Sequence, residues 1–494
     1  MGVRPQSGDD CMVKLTFFGA ARTVTGSKYL TESNGAKVLV DAGLFQGLKE
    51  LRERNWQDLP LSASAIDAIV LTHAHLDHCG YLPRLVAQGF RGRVFCTAGT
   101  QDLCRIVLPD AGRLQEEDAA FANRHGFSKH APALPLYSEA DAFRAVSQLQ
   151  PCGYDRRLPV ANGIDVEFVN AGHLLGSSYV RMHVDGKTIL FGGDLGRFGR
   201  PVLPDPTMIA DADYLLVEST YGDRVHEPDG DGTRLAQVVT ATAERGGKLI
   251  IPSFAIGRVE ELIYWLRRLE AEHRIPVLPV FLDSPMAAAA LVRYSERIQE
   301  LDPELQPEIH DDKAPHDGAA HEARPARQQQ AQQERDLCAF CTDRFHVIAS
   351  VEESKQLTAS RVPAIVISSS GMAEGGRVLH HLKAALPNAR NTVLFVGYQA
   401  AGARGRRLID GETSVKIHGD WVPVAARIER VDSMSAHADS TEIMRWLRGF
   451  TRAPRRTFIV HGEPTAMETL SGAITKELGW SHGMPEYRET VELQ

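Results

Sequence analysis

Three things are scarce in this 494-residue chain, and each scarcity excludes a class of protein. No run of about eighteen apolar residues occurs, so nothing reads as a membrane-spanning helix. The opening Met1-Gly-Val-Arg-Pro-Gln-Ser-Gly-Asp-Asp10 lacks an apolar signal core, and 1–12 reads as a short disordered tail. Cysteines number seven, an odd count at irregular spacing. That argues against a disulfide framework and for a reducing cytoplasm. Cys338-Ala-Phe-Cys341 has no second CxxC pair and reads as two ordinary thiols, and Cys79 reads as a packing residue. Basic charge is short as well: the net charge of −8 gives no general positive field for nucleic acid. A phosphate would have to be met by metal ions or by a local cluster. Arg377, Arg404, Arg406 and Arg407, set among glycines, are the candidates for such a cluster.

What is present is concentrated chemistry. Ala68-Ile-Val-Leu71-Thr72 reads as a buried strand. At its end stands His73-Ala-His75-Leu-Asp77-His78, four metal-liganding side chains within six residues. A solvated turn does not gather them so densely, and imidazole with carboxylate suits zinc. Three further runs share this grammar. Val166-Glu-Phe-Val169 leads to Gly172-His173-Leu-Leu-Gly176-Ser177. Thr188-Ile-Leu-Phe-Gly-Gly-Asp194 ends in glycines and a carboxylate, and Arg456-Thr-Phe-Ile-Val460-His461-Gly462-Glu463 in a histidine and a glycine. Any one alone reads as a satisfied core or turn residue. Together they place five histidines and two aspartates at the ends of successive strands, enough for a two-metal site with a bridging carboxylate.

The ligand-bearing runs fall in two strand-rich pieces, 13–214 and 426–494, so one domain is interrupted by an insertion over 215–425. The insertion has another rhythm. Gly247-Lys-Leu-Ile-Ile-Pro252 reads as a strand and Ala255 to Leu266 as an amphipathic helix; Val277 to Leu282 and Ala364 to Ser368 read as further buried strands. Strands alternating with helices indicate a parallel α/β unit. Within it, 309–336 is rich in Ala, Gln, Asp, His and Arg and reads as a flexible loop whose histidines are solvated. Ser368-Ser369-Ser370-Gly371-Met372, before a helix expected over 374–382, offers hydroxyls and backbone N–H groups to an anion. Ordinary N-capping explains that turn equally well. A helix is also expected to start within 78–88, and His380 and His381 read as helix-surface residues.

The ordered set resembles a known family. His73-x-His75-x-Asp77-His78 with the distant His173 and Asp194 is similar to the signature of the metallo-β-lactamase superfamily. Glu218-Ser-Thr-Tyr-Gly222, Ser435-Ala-His437-Ala-Asp439 and Val460-His461-Gly-Glu463 resemble the three further motifs of its β-CASP branch. The resemblance runs from Leu15 to about Glu463 and is nearest to prokaryotic RNA-cleaving relatives of the polyadenylation-machinery cleavage subunit and RNase J. It implies an α/β fold, a metallo-β-lactamase αββα sandwich carrying an inserted parallel α/β β-CASP domain. It also implies two zinc ions per chain: His73, His75 and His173 on one, Asp77, His78 and His461 on the other, and Asp194 between them.

The implied activity is zinc-dependent RNA hydrolysis by two-metal hydroxide attack, with Asp77 orienting the nucleophile. Glu218 would charge His437, which protonates the leaving ribose oxygen. The implied partner is single-stranded RNA, with Ser369, Ser370, Gly371 and Arg404 as candidate contacts to a neighbouring phosphate. Three other readings compete. A DNA nuclease of the same family is disfavoured by His461, where DNA-acting members carry an aliphatic residue. A non-nuclease hydrolase is disfavoured by the insertion and the Glu218/His437 pair, and a dead binding subunit by the complete ligand set. Internal versus end-directed cutting stays open, and a homodimer is compatible with the sequence without being required by it.

Overall fold

The computed structural model describes residues 12–126, 130–227, 230–305 and 340–494. The loop expected over 309–336 and all of the expected tail except Met12 lie outside the described residues. The chain opens with β1 (Val13–Phe17), β2 (Tyr29–Ser33), β3 (Ala36–Val40), β4 (Ala68–Val70), β5 (Arg93–Thr97) and β6 (Leu149–Cys152). Then follow β7 (Leu158–Ala161), β8 (Ile164–Asn170), β9 (Ser178–Val184), β10 (Lys187–Phe191) and β11 (Tyr214–Val217). The insertion contributes β12 (Leu249–Pro252), β13 (Val280–Leu282), β14 (Phe345–Val347), β15 (Ile365–Ser368), β16 (Thr392–Phe395), the hairpin β17 (Ser414–Ile417) and β18 (Asp420–Pro423), and β19 (Arg427–Arg430). The chain closes with β20 (Arg456–Ile459), β21 (His482–Gly483) and β22 (Thr490–Leu493).

Two mixed sheets form the sandwich, ordered β22-β1-β2-β3-β4-β5-β6 and β21-β20-β11-β10-β9-β8-β7. The C-terminal segment therefore completes both of them. Sequence alternation decides which side faces in: in β8, Ile164, Val166 and Phe168 are buried while Asp165 and Glu167 are not. Phe17, Val38, Val70 and Phe95 of one sheet meet Phe168, Met182, Phe191 and Phe458 of the other. The outer face of the second sheet is covered by the helices Ser440–Leu447 and Pro464–Glu477, which pack Trp446, Met467 and Leu470 on Leu190, Leu215 and Ile459. On the other outer face, Leu103, Val107 and Leu108 of the long helix Ala98–His125 share a core with Ile69 and Val94. The layering is αββα.

The inserted domain holds a six-stranded sheet in the order β14-β13-β15-β12-β16-β19, parallel throughout. β11 belongs to the sandwich and β19 to the cap, so the chain leaves the sandwich after Val217 and has returned to it by Arg456. Several elements begin later than periodicity suggests. β13 starts at Val280 rather than Val277, after Pro279, which has no N–H to add to a ladder. The helix expected from Ala255 runs over Val259–Ala271, because Gly257 at φ +77° keeps the chain in a turn. The helix expected over 374–382 is Val378–Ala385, held back by left-handed Ala373 (φ +56°) and Gly376 (φ +76°). The metal-ligand run ends on a short helix, Leu76–Cys79, which carries Asp77 and His78, and a second, Leu82–Ala87, starts within the expected 78–88.

Sheet ends place the site. Segments just beyond β4, β10, β11 and β20 of the sandwich and β12, β15 and β16 of the cap line one shared cleft of about 250 Å³. In open α/β sheets the carboxyl ends of strands are where ligands are received.

Candidate active site and metal centre

Local backbone chemistry fixes the loop after β4. Thr72 N–H donates to Asp41 Oδ1 at 2.8 Å, and the Asp77 carbonyl accepts from Ser27 N–H at 2.9 Å. Gly43 is required beside it, since a Cβ there would sit 1.6 Å from the Asp77 oxygen. His173 projects from a turn whose Gly172 and Gly176 have φ of +65° and +79° and whose Ser177 hydroxyl accepts from the His173 N–H at 3.0 Å. His461 has φ +50°, with its N–H held by the Ala20 carbonyl at 2.8 Å.

These loops bring the seven expected ligands together, His73, His75, His173 and Asp194 in one group and Asp77, His78 and His461 in another beside it. His75 Nδ1 lies 3.1 Å from both His73 Nε2 and His173 Nε2. His78 Nε2 lies 3.1 Å from His461 Nε2, which is 3.4 Å from Asp77 Oδ2. Asp194 divides its oxygens between the groups. Oδ2 is 3.3 Å from His73 Nε2 and 3.4 Å from His173 Nε2, while Oδ1 is 3.1 Å from His78 Nε2 and 3.6 Å from His461 Nε2.

The donor set fits metal ions on its own chemistry. A neutral imidazole carries one N–H and one lone pair, and four of these rings have the outer nitrogen engaged elsewhere. His78 Nδ1 is 2.8 Å from Asp41 Oδ2, His173 Nδ1 3.3 Å from the Ala436 carbonyl, His73 Nδ1 3.1 Å from the Thr72 hydroxyl and His461 Nδ1 3.1 Å from the Thr220 hydroxyl. What remains is a set of lone pairs aimed at common points, which a cation satisfies and a hydrogen bond does not. Anchoring of the distal nitrogen is the usual support for a ligating histidine. Burial favours the neutral form of three rings, pushing His73 down to about 3, His75 to about 4 and His173 well below the ordinary histidine value; at His78 the Asp194 and Asp41 carboxylates outweigh burial and raise it. Asp41, just beyond β3, carried no sequence signal for this role.

Glu218 and His437 meet beside this centre. His437 Nδ1 is 3.0 Å from Glu218 Oε2 and 3.9 Å from Asp194 Oδ2. Glu218 is buried and fixed by the Leu195 N–H and the Thr220 hydroxyl. Burial alone would lower the His437 pKa; the Glu218 and Asp194 carboxylates override it and raise it to about 9. Asp439, two residues on, caps the helix Ser440–Leu447.

The cap side differs more from expectation. Ser369, Ser370 and Gly371 line the cleft. Ser370 Oγ accepts from Glu374 N–H at 3.0 Å within its own turn, and no helix begins there. Arg404 does not line the cleft: its side chain is committed to the Lys416 carbonyl at 3.1 Å and to the Ala373 carbonyl. The other arginines of the supposed basic cluster have acidic partners, Arg377 with Asp283, Arg406 with Asp410 and Arg407 with Glu412. His381 is not on the surface; it is buried with Nε2 2.7 Å from Asp283 Oδ2, because its helix turns that side inward. Phe254 and Tyr398, which no motif had flagged, line the cleft.

An αββα sandwich with clustered metal ligands at strand ends and a parallel α/β cap closing over them defines a capped metallo-hydrolase. Sequence comparison makes this specific. Residues 36–276 match the Beta-lactamase superfamily domain, 259–408 the Beta-Casp domain, and 421–485 the Zn-dependent metallo-hydrolase RNA specificity domain. The ribonuclease TTHA0252 of Thermus thermophilus is 36% identical, the alignment covering 97% of this chain and 100% of that one. An RNase J-like protein of Methanocaldococcus jannaschii is 28% identical over 94% of this chain and 95% of its own. A transcription termination factor FttA of Lokiarchaeum is 28% identical over 99% of this chain and 73% of its own. The chain belongs to the β-CASP family of RNA-processing nucleases in the metallo-β-lactamase superfamily, and it is a metal-dependent nuclease.

Proposed function

We propose that the protein is a zinc-dependent ribonuclease that hydrolyses phosphodiester bonds of single-stranded RNA, leaving a 5′-phosphate, in RNA processing or decay. The observation that carries this reading is Asp194, one oxygen toward each group of histidine nitrogens, with the Glu218–His437 pair alongside. His73, His75 and His173 would hold one ion and Asp77, His78 and His461 the other, with Asp194 shared. When bound, such ions supply Lewis acidity that lowers the pKa of a water and neutralises charge building on a phosphate oxygen.

The remaining steps belong to side chains of this chain. Asp77, whose side chain is 20% exposed to the cleft, accepts a hydrogen bond from the attacking water and aims it at phosphorus. His437 presents Nδ1 to Glu218, so Nε2 is the atom that gives a proton to the departing ribose oxygen. Ser369 Oγ, buried and without a protein partner, and Gly371 are the groups offered to the adjacent phosphate, the Ser370 N–H being held by the Gly375 carbonyl at 3.2 Å. Cys79, Cys96, Cys104 and Cys152 form no disulfide, and no helix among the described residues is long and apolar enough to cross a membrane.

The test is cleavage of end-labelled single-stranded RNA and matched DNA by the zinc-loaded protein. RNA is expected to be cut, and Asp77→Ala and His437→Ala to lose about 100-fold or more in kcat. Intact RNA after incubation with the wild type would overturn the reading, and preferential cutting of the DNA would replace it with a DNA nuclease. Variants as active as wild type would remove the assigned roles.

A further inference from the structure

Between the metal-ligand loop and the Ser369–Gly371 turn stands a side chain with no acid, base or ligand chemistry. Phe254 follows β12 and is half-buried in the cleft wall. Its ring centroid lies 6.5 Å from that of His75, with 52° between the planes. On its other flank the ring rests on bare backbone. A Cβ at Gly371 would come within 2.6 Å of Phe254 Cδ2, and one at Gly397 within 3.3 Å of Cε2. Glycines beyond β15 and β16 thus clear a seat for a ring that β12 delivers. Val24, Ile256 and Met286 extend the apolar wall. The exposed part of the ring forgoes burial energy, so burial alone does not account for a phenyl at this point. A site that handled only phosphodiester charge would line this stretch with donors.

We infer that Phe254 is the stacking platform for one nucleobase of the bound strand, that of the nucleotide lying between the scissile phosphate at the histidine cluster and the next phosphate at the Ser369–Gly371 turn. This rests on the ribonuclease reading above and deepens it. Every base presents a π-face, so such a platform accepts all four bases while demanding that a base be there. The residue positions substrate and takes no part in proton transfer. Binding lost in ground and transition states alike appears in KM rather than kcat.

The experiment is a cycle of enzyme and substrate variants. Steady-state kinetics of wild type, Phe254→Ala, Phe254→Leu and Phe254→Trp are compared on one RNA and on a series carrying a single abasic ribonucleotide at successive positions around the mapped cleavage site. Phe254→Ala is expected to raise KM about tenfold, within the range of one base–aromatic stack. Phe254→Leu, which keeps apolar packing against Gly371 without an aromatic face, is expected to raise KM several-fold and serves where the alanine variant fails to fold. Phe254→Trp restores KM. At one abasic position the wild type loses the same factor and the Phe254 variants lose nothing further. KM unchanged in a folded, zinc-replete Phe254→Leu protein, or losses that multiply independently at every abasic position, would overturn the platform while leaving the ribonuclease reading intact. Absence of RNA cleavage by the wild type removes both.

Discussion

Asp41 touches no expected metal position, yet its carboxylate holds His78 Nδ1 at 2.8 Å and is itself held by the Thr72 amide at 2.8 Å and hydroxyl at 2.9 Å. That chain of contacts decides which nitrogen of His78 offers a lone pair. Asp41→Asn keeps the shape but weakens the acceptor, and zinc affinity is expected to fall about 10- to 100-fold in chelator competition. An unchanged affinity would mean the His78 tautomer is set elsewhere. Glu260 makes the opposite point about a buried carboxyl. Burial raises its pKa to about 8, against the lowering effect of the Glu260 and Gly257 amides and of Arg258. Its folded-state pKa lies above the ordinary value of 4.5, so the fold favours the neutral acid. The penalty is absent below about pH 4.5, grows as pH rises through the window to 8 and is complete above it. Glu260→Gln is therefore expected to gain urea stability over wild type as pH rises from 5 to 8. A constant difference between the two proteins across that range would contradict the assignment.

Elements were legible where their chemistry is local. β4 and the ligand loop follow from a short apolar run and its abrupt polar end, and the cap's parallel sheet follows from strand–helix alternation. Helix starts in the cap were not, because left-handed residues such as Gly257 and Ala373 hold the chain in turns that hydrophobic spacing does not register. The delay matters at Ser369–Gly371, which is a turn closed by the Ser370 N–H on the Gly375 carbonyl rather than a helix end. Gly371 is the residue that shapes it. Gly371→Ala would place a Cβ 2.7 Å from the Phe254 amide nitrogen, a backbone atom with little room to yield. A loss of about 1–3 kcal/mol is expected, visible as a lower Tm. Wild-type stability in that variant would show that the turn relaxes freely.

At the scale of the molecule, the cleft exists because two domains are clasped around it. Glu261 of the cap helix Val259–Ala271 takes Arg258 at 2.6 Å on one oxygen and Arg200 of the sandwich on the other; Glu261 and Arg258 are buried and Arg200 is mostly so. Arg297 of the cap reaches Asp102 of the sandwich at 2.6 Å, and the Tyr398 hydroxyl donates to Glu463 at 2.8 Å on another border of the cleft. Glu261→Ala leaves two guanidinium groups without their carboxylate. Because a buried charge stripped of its partner costs about 3–5 kcal/mol, a large drop in the urea midpoint is expected. A midpoint close to wild type would mean that water reaches the pair and that the clasp is not structural. The order of the chain reinforces the clasp: the C-terminal segment supplies β20 and β21 to one sheet and β22 to the other, so the sandwich is closed only after the cap is made.

By itself the sequence picked out the side chains that the fold gathers into the proposed metal centre, because each sits at the end of an apolar strand and spacing within a strand-end loop is a local property. It also determined the family and the two-part architecture, since motif order survives whatever the packing does. Only the tertiary structure decided which Asp194 oxygen faces which group, that Asp41 orients His78, that Arg404 and its neighbours are engaged elsewhere, and that Phe254 stands in the cleft. Those depend on residues far apart in the chain being brought within hydrogen-bonding or van der Waals distance, and a one-dimensional pattern carries no record of that distance.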